Sequence, residues 1–432
     1  MNVTNETDLG DSPDALLYQC GSGLDNFHTV YIQIHGYASL LVCLFGSVAN
    51  TLNIAVLTRR EMNSPTNAIL TGLAVADLLV MLEYIPYASH MYLLERPRRD
   101  RFTYGWTLFV LFHSNFAQVC HTISIWLTVT LAIWRYIAVA HPQKNRELCS
   151  IQRTIIAIVG AYVICPIICI PLYLTFSIQP RSELIDIDGR TFNMTSTNGT
   201  IPDGVTNTTL YFVNLSETAK IHSFLNDMNF WIYSVVIKII PCVALTILSL
   251  QLILALVEAK KRRQKLTSAT LVKTDDKSND GSTDVKKARK KPSRLMDKER
   301  QTDRTTRMLL AVLLLFLLTE FPQGVLGLLS VILGDVFFRT CYVKLGNVIF
   351  LHIYIYIYLF IYLYGEVMDI LALINSAINF ILYCAMSRQF RMTFNQLFGR
   401  WKLLGRWMPI PQHGDNNGNT GTNHTVTQVT QV

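Results

Sequence analysis

Charged residues are scarce in this chain. Asp, Glu, Lys and Arg make up 16% of its 432 residues, whereas soluble domains carry about a quarter. That shortage argues against the two or three soluble domains that the length alone would allow. Paired CxxC spacing is absent among the nine cysteines, which argues against a zinc site. The sequence also lacks HExxH, GxSxG and a phosphate-cradling glycine loop, so no motif points to an enzyme. Met1 to Tyr31 is polar and acidic rather than basic and then apolar, so no cleavable signal is expected. The first apolar run, from about His35 to Leu57, then serves as both signal and anchor.

What is abundant is apolar length. Half of the residues are hydrophobic and the mean hydropathy is +0.30. A helix needs about 20 apolar residues to span a bilayer, and only internal hydrogen bonding satisfies its backbone there. Seven stretches qualify, at roughly 34–58, 67–93, 106–139, 153–177, 229–257, 306–333 and 366–386. The expected fold class is an all-α membrane protein, a seven-transmembrane helix bundle with a short amphipathic eighth helix.

Basic residues set the orientation. Arg59 and Arg60, Lys144 to Arg153, Lys260 to Lys265, Lys286 to Lys291 and Arg388 to Arg400 all follow odd-numbered spans, which places them on the cytoplasmic face. The net charge of +8 is therefore topological, and no nucleic-acid partner is expected. Arg96, Arg98, Arg99 and Arg101 break the rule, offset by Glu95 and Asp100. Glycosylation signals at Asn2, Asn5, Asn193, Asn198, Asn207 and Asn214 agree with an outer N-terminus and outer second loop. Residues 1–33 are an extracellular segment, 34–398 the membrane domain and 399–432 a disordered cytoplasmic tail, placing the chain in the plasma membrane as a multi-pass protein.

Polar groups within the spans are costly and so become functional candidates, although Ser and Asn also serve as glue between helices. Those that stand out are Asn50, Asp77, Glu83, Ser124, Lys238, Glu320, Asn375, Ser376 and Asn379. Asn50 in GSVAN, Asp77 in LAVAD, Trp106, Arg135 in WRY, Pro241, Pro322 and Asn379 to Tyr383 come in the order of rhodopsin-family (class A) G-protein-coupled receptors. The resemblance covers all seven spans. It implies that Asp77, with Asn50, Ser124, Asn375, Ser376 and Asn379, holds an allosteric sodium ion or water, with no other cofactor. A buried carboxylate needs a cation or several donors, and this set supplies them. It further implies that Arg135 and Tyr136 meet a G protein, that Tyr383 swings inward on activation, and that helices move about kinks at Pro241 and Pro322.

Departures narrow the resemblance. Trp134 replaces the acid before the arginine, Phe380 the proline of NPxxY, and Glu320 the aromatic toggle two residues before Pro322. Segment 178–228 has no cysteine and Val110 stands where span three usually carries one, so the common disulfide between them cannot form. Cys20 and Cys341 are either a pair tethering the N-terminus to the third outer loop or free thiols. WRY, TEFPQG (319–324) and INSAINFILYCAMSRQFR (374–391) are similar to invertebrate myosuppressin and FMRFamide-like neuropeptide receptors. That resemblance implies a short, amidated neuropeptide as ligand and coupling to Gi/Go.

Ala117 where amine receptors carry an aspartate, and Leu373 in place of a retinal-binding lysine, weaken the small-ligand alternatives. A peptide ending in Arg-Phe-amide calls for an acid in its pocket, Glu83 first and Glu320 second, with His113, Gln118, His121 and Gln323 as further lining residues. Lys238 is expected to pair with Glu320 across spans five and six. A transporter is the non-receptor alternative, but neither internal repeats nor Gly-interrupted helix pairs are visible.

Segment 347–365, NVIFLHIYIYIYLFIYLYG, alternates Ile and Tyr. An AT tract read in frame yields that alternation, and removing the segment joins CYVKLG to EVMDILALINS, so a retained intron or gene-model error is one reading and an outer membrane-surface segment the other. At the inner face, Phe390, Phe394, Leu397 and Phe398 share one face of an amphipathic helix expected to lie on the bilayer. Tail threonines at 420, 422, 425, 427 and 430 are either phosphorylation sites that recruit arrestin or part of a merely polar tail.

Overall fold

The structure is a computed structural model. It describes residues 22–94, 96–192, 204–275 and 366–398, and in span six residues 314, 317–322, 324–325, 328–329 and 332. Cys20, Cys341, Gln323, Asn2, Asn5, Asn193, Asn198, segment 347–365 and the tail lie outside the described residues, as does the side chain of Asn375.

Capping residues and apolar length set the helices. Helix α1 is Ser22–Leu57 and a 3-10 turn follows at Arg60–Met62. Helix α2, Pro65–Ala88, starts where the Ser64 hydroxyl accepts the Asn67 N–H and Pro65 fills the first turn, which needs no donor. It runs on into a π turn at Ser89–Leu93. After the short α3, Arg98–Arg101, helix α4 covers Tyr104–Ala140. Its 37 residues reach about 55 Å, well beyond a hydrocarbon core of about 30 Å, so both ends project into water.

Helix α5 is Pro142–Leu148, α6 Ile151–Ile168 and α7 Ile170–Thr175. The span read as one helix over 153–177 is thus broken at Cys169, between Pro166 and Pro171. Strands β1, Phe176–Ile185, and β2, Thr206–Leu215, pair antiparallel from Phe176 opposite Leu215 to Ile185 opposite Thr206. This hairpin is an outer addition to the helical bundle, in a segment, 178–228, that reads as a polar link in sequence. Its β2 run TNTTLYFVNL is rich in β-branched and aromatic residues and buries Leu210, which is what a half-covered strand needs.

Helices α8, Glu217–Ile221, and α9, Ser223–Trp231, lead into a second π turn at Ile232–Ile239, then α10, Ile240–Asp275. Pro241 lacks an N–H and disturbs the ladder one turn before it; the widened turn answers this, with the Ile240 N–H donating to the Val235 carbonyl. The described residues of span six are helical. Helix α11 is Glu366–Met386 and α12 Arg388–Phe398. The Ser387 hydroxyl accepts the Phe390 N–H, while Arg391 closes the end of α11 by donating to the carbonyls of Cys384 and Ala385.

Burial is inverted relative to a soluble protein. Ile156 is 70% and Leu254 69% exposed, whereas Lys238 and Glu320 are 1% and 0% exposed. Apolar side chains turned outward suit lipid, and the polar groups face the interior. Five helical stretches among the described residues are long and apolar enough to cross a membrane: Ile34–Leu57, Pro65–Leu93, Tyr104–Ala140, Ile151–Thr175 and Phe224–Glu258. Toward the inner end, Val56, Leu70, Leu127, Tyr383, Phe390 and Phe394 form one apolar cluster that fastens α12 beneath α1, α2 and α11.

Candidate functional site

The polar side chains fall along α4 in a column from His113 to Arg135. Those 22 positions rise about 33 Å, close to the bilayer's hydrocarbon thickness. Near the outer end, His113 Nδ1 lies 2.5 Å from Glu83 Oε1, and the Tyr87 ring stacks on the imidazole at 3.8 Å. Tyr84 meets the same imidazole edge-on and its hydroxyl lies 3.2 Å from His35 Nε2, so α1, α2 and α4 share one His–Tyr–Glu cluster. Glu83 is therefore half engaged within the protein. One of its carboxylate oxygens is engaged by His113, while Oε2 is buried and unpartnered among the described residues. His35 and Tyr84 are absent from the sequence expectation. A histidine at the head of the first apolar run and the tyrosines at 84, 87 and 92 in the second were the signals available.

Two turns further in, Lys238 Nζ donates to Glu320 Oε2 and lies 2.9 Å from His121 Nε2, which is itself 3.1 Å from the same carboxylate oxygen. The pair read between spans five and six is a triad that also takes in α4. Lys238 belongs to the π turn, whose extra residue per turn places it here. Gly324 makes the approach feasible: a Cβ there would stand 2.9 Å from Lys238 Cβ and 3.0 Å from Ile239 Cγ1. Gln118 donates to Thr122 Oγ1 at 3.4 Å on the same helix and does not reach the triad.

Below it, Asp77 accepts Ser124 Oγ at 2.8 Å and Asn379 Nδ2 at 3.3 Å, with the Ser376 hydroxyl also reaching the carboxylate. Asn50 donates to the backbone carbonyls of Gly46 and Ser376, and its own Oδ1 is buried and unpartnered among the described residues. The structure thus gathers the side chains of Asn50, Asp77, Ser124, Ser376 and Asn379. Carboxylate, hydroxyl and orphan amide oxygens are the donor set of a hard cation, so these residues fit the sodium ion that the resemblance implies.

At the inner end Trp134, standing where the acid is usual, turns away from Arg135 and donates its indole N–H to Thr154 of α6 at 2.9 Å. Arg135 Nε is buried with no hydrogen-bond partner among the described residues. Tyr136 meets His141 edge-on, and Tyr383 is buried against Phe390, their rings 5.8 Å apart. Pro322 lies in a described helical stretch of span six. The described glycosylation positions, Asn207 and Asn214, are both exposed on β2.

A model of the serpentine type seven-transmembrane G-protein-coupled chemoreceptor family Srw matches residues 37–285 and 282–401. The chain belongs to this family. The receptor is 29% identical to the G-protein coupled receptor dmsr-1 of Caenorhabditis elegans, across 89% of this chain and 72% of the relative. It is 26% identical to the sex peptide receptor of Drosophila melanogaster, across 91% and 80%, and 23% identical to the FMRFamide receptor of the same fly, across 89% and 58%. The receptor is accordingly a multi-pass plasma-membrane protein that signals through a G protein, and the transporter alternative falls away.

Proposed function

We propose that this receptor is activated by a short amidated neuropeptide with a cationic penultimate residue, of Arg-Phe-amide type, and couples to Gi/Go proteins. The observation that carries the ligand class is the outer cluster: a buried carboxylate with one oxygen unpartnered among the described residues, ringed by Tyr84, Tyr87 and the His113 imidazole. A guanidinium satisfies that oxygen with charge-assisted hydrogen bonds, and aromatic faces suit both the cation and a phenylalanine ring. The relatives named for FMRFamide and for sex peptide support a peptide in this role.

Glu83 takes the ligand's cation, with His113 orienting the carboxylate; His121 and Glu320, engaged with Lys238, transmit rather than bind. Movement of span six breaks or re-forms the triad, and Arg135 with Tyr136 meets the G protein once the inner end opens. Asp77 and its partners bind sodium in the resting state. The threonine-rich tail recruits arrestin when phosphorylated, and α12 lies along the inner bilayer surface.

A panel of amidated peptides applied to transfected cells, read as inhibition of cAMP with and without pertussis toxin, tests the reading. Charge reversal, Glu83→Arg, is expected to shift potency for the active peptide at least about tenfold, as expected when one partner of a buried charged contact is removed. Unchanged potency defeats the assignment of Glu83, and toxin-insensitive signalling defeats Gi/Go.

A further inference from the structure

The segment around α3 and the outer hairpin meet through contacts, none of them covalent, that carry a detailed geometry. Arg98 Nε donates to Glu183 Oε2 at 2.8 Å, and its Nη2 donates to Oε1 at 3.0 Å. In this two-pronged pair the Glu183 side chain is only 10% exposed. The guanidinium also stands 5.0 Å from the Phe102 ring centroid and 5.5 Å from that of Phe212, and the two rings are 4.8 Å apart. Phe102 follows α3 and Phe212 sits on β2, so one arginine grips both partners of the junction. The backbone continues the seam. The Tyr211 N–H donates to the Phe102 carbonyl at 3.0 Å, Thr107 Oγ1 to the Tyr211 carbonyl at 2.8 Å, and the Arg99 N–H to the Gly189 carbonyl at 3.4 Å. Gly189, at φ +75°, takes a left-handed conformation that other residues rarely adopt, and it lies against Pro97.

A disulfide cannot hold this hairpin to α4, because residues 178–228 contain no cysteine. We propose that Arg98 is a positioning residue for ligand recognition. By clasping Glu183 while its guanidinium packs over the paired rings of Phe102 and Phe212, it fixes the outer hairpin over the mouth of the bundle, where a covalent bridge would otherwise be needed. This rests on the reading of that mouth as the ligand's entry. The fork geometry matters as much as the charge, because a lysine cannot make two parallel bonds to one carboxylate. The outer arginines that break the positive-inside pattern thereby gain one member with a defined task.

The test uses the full chain. Arg98→Glu, Glu183→Arg, the charge-swapped double variant and the milder Arg98→Lys are compared at matched surface density. Hydrogen exchange of the 206–215 amides is measured on purified receptor in lipid nanodiscs without peptide, and potency is measured with whichever amidated peptide activates the wild type. Each single variant is expected to speed exchange at Tyr211 and weaken potency about tenfold, with the maximal response kept. Arg98→Lys should fall between, and the double variant should recover most of both, short of complete recovery because Arg181, 3.7 Å from Glu183, would face a new arginine. Unchanged exchange in the single variants, or potency that the swap does not restore, overturns the proposal. A wild type silent to every peptide would sink the peptide reading alone, while the exchange comparison would still decide whether Arg98 holds the hairpin.

Discussion

Removing one partner from a buried charge pair exposes the other to an apolar interior. In the triad, Lys238 and Glu320 are each 1% exposed in their side chains, so neither can borrow water when alone. Lys238→Met and Glu320→Leu, made singly, are each expected to destabilise the receptor by about 3–5 kcal/mol, whereas the two together should recover much of that loss. Thermal unfolding of detergent-solubilised receptor, monitored by thiol labelling, checks this; equal losses in single and double variants would refute it. At Asp77 the prediction concerns an ion. Asp77→Asn is expected to abolish any rise in thermal stability with sodium over potassium, while Ser124→Ala, which removes the 2.8 Å hydrogen bond, should weaken it.

Glu183 lies outside the bilayer and gives a pH prediction. The Arg98 hydrogen bonds hold its carboxyl below the usual carboxylate range against the opposing effect of partial burial, with Arg181 adding to the lowering. A carboxyl whose folded pKa is depressed stabilises the fold above its unfolded pKa and loses that contribution as pH falls through the lowered value. The hairpin's hydrogen exchange, corrected for intrinsic rates, should therefore stay flat around neutral pH and rise as the pH falls through the normal carboxylate range toward the lowered value. In Arg98→Gln, with the main cause of that lowering gone, exchange should already be faster at neutral pH and change less as the pH falls.

Among the elements, the two π turns matter most. Each follows or precedes a proline disturbance: Pro86 lies within α2 before the turn at Ser89–Leu93, and Pro241 follows the turn at Ile232–Ile239. An extra residue per turn rotates everything beyond it, which is how Lys238 comes to face both α4 and span six. Replacing Gly324 with valine puts branched carbons into a space where even a Cβ would lie 2.9 Å from Lys238. The expected result is loss of agonist response with reduced surface abundance, while Gly324→Ala retains part of both; measured in parallel by cAMP inhibition and surface labelling, a fully active valine variant would disprove the close approach. The hairpin is the other element of consequence. Its β2 run of β-branched and aromatic residues can be seen in retrospect, yet a stretch bounded by two long apolar spans and full of glycosylation signals reads as a solvated link.

For the whole molecule, topology is the testable quantity. An N-terminal tag is expected to be labelled on intact cells and a C-terminal tag only after permeabilisation. Deleting 347–365 should leave that arrangement unchanged and raise surface abundance, because the remaining chain already has seven spans. Tags accessible from one side in the shortened chain would contradict the seven-span bundle.

Hydrocarbon imposes strict rules, and strict rules are legible in sequence. The number of spans and their orientation follow from apolar length and basic loops, whereas the membership of Asp77, Asn50, Ser124 and Asn379 in one polar set is implied by the family resemblance. A Lys238–Glu320 pairing was inferable because two opposite charges in lipid must find each other. Tertiary structure alone decided the rest. That His113 occupies Glu83, that His121 completes the triad, that Trp134 reaches Thr154 instead of Arg135, and that Arg98 clasps the hairpin depend on helix rotation and lateral distance. Those quantities are set by packing among segments far apart in the chain, and sequence periodicity gives the face of a helix but not the neighbour it meets.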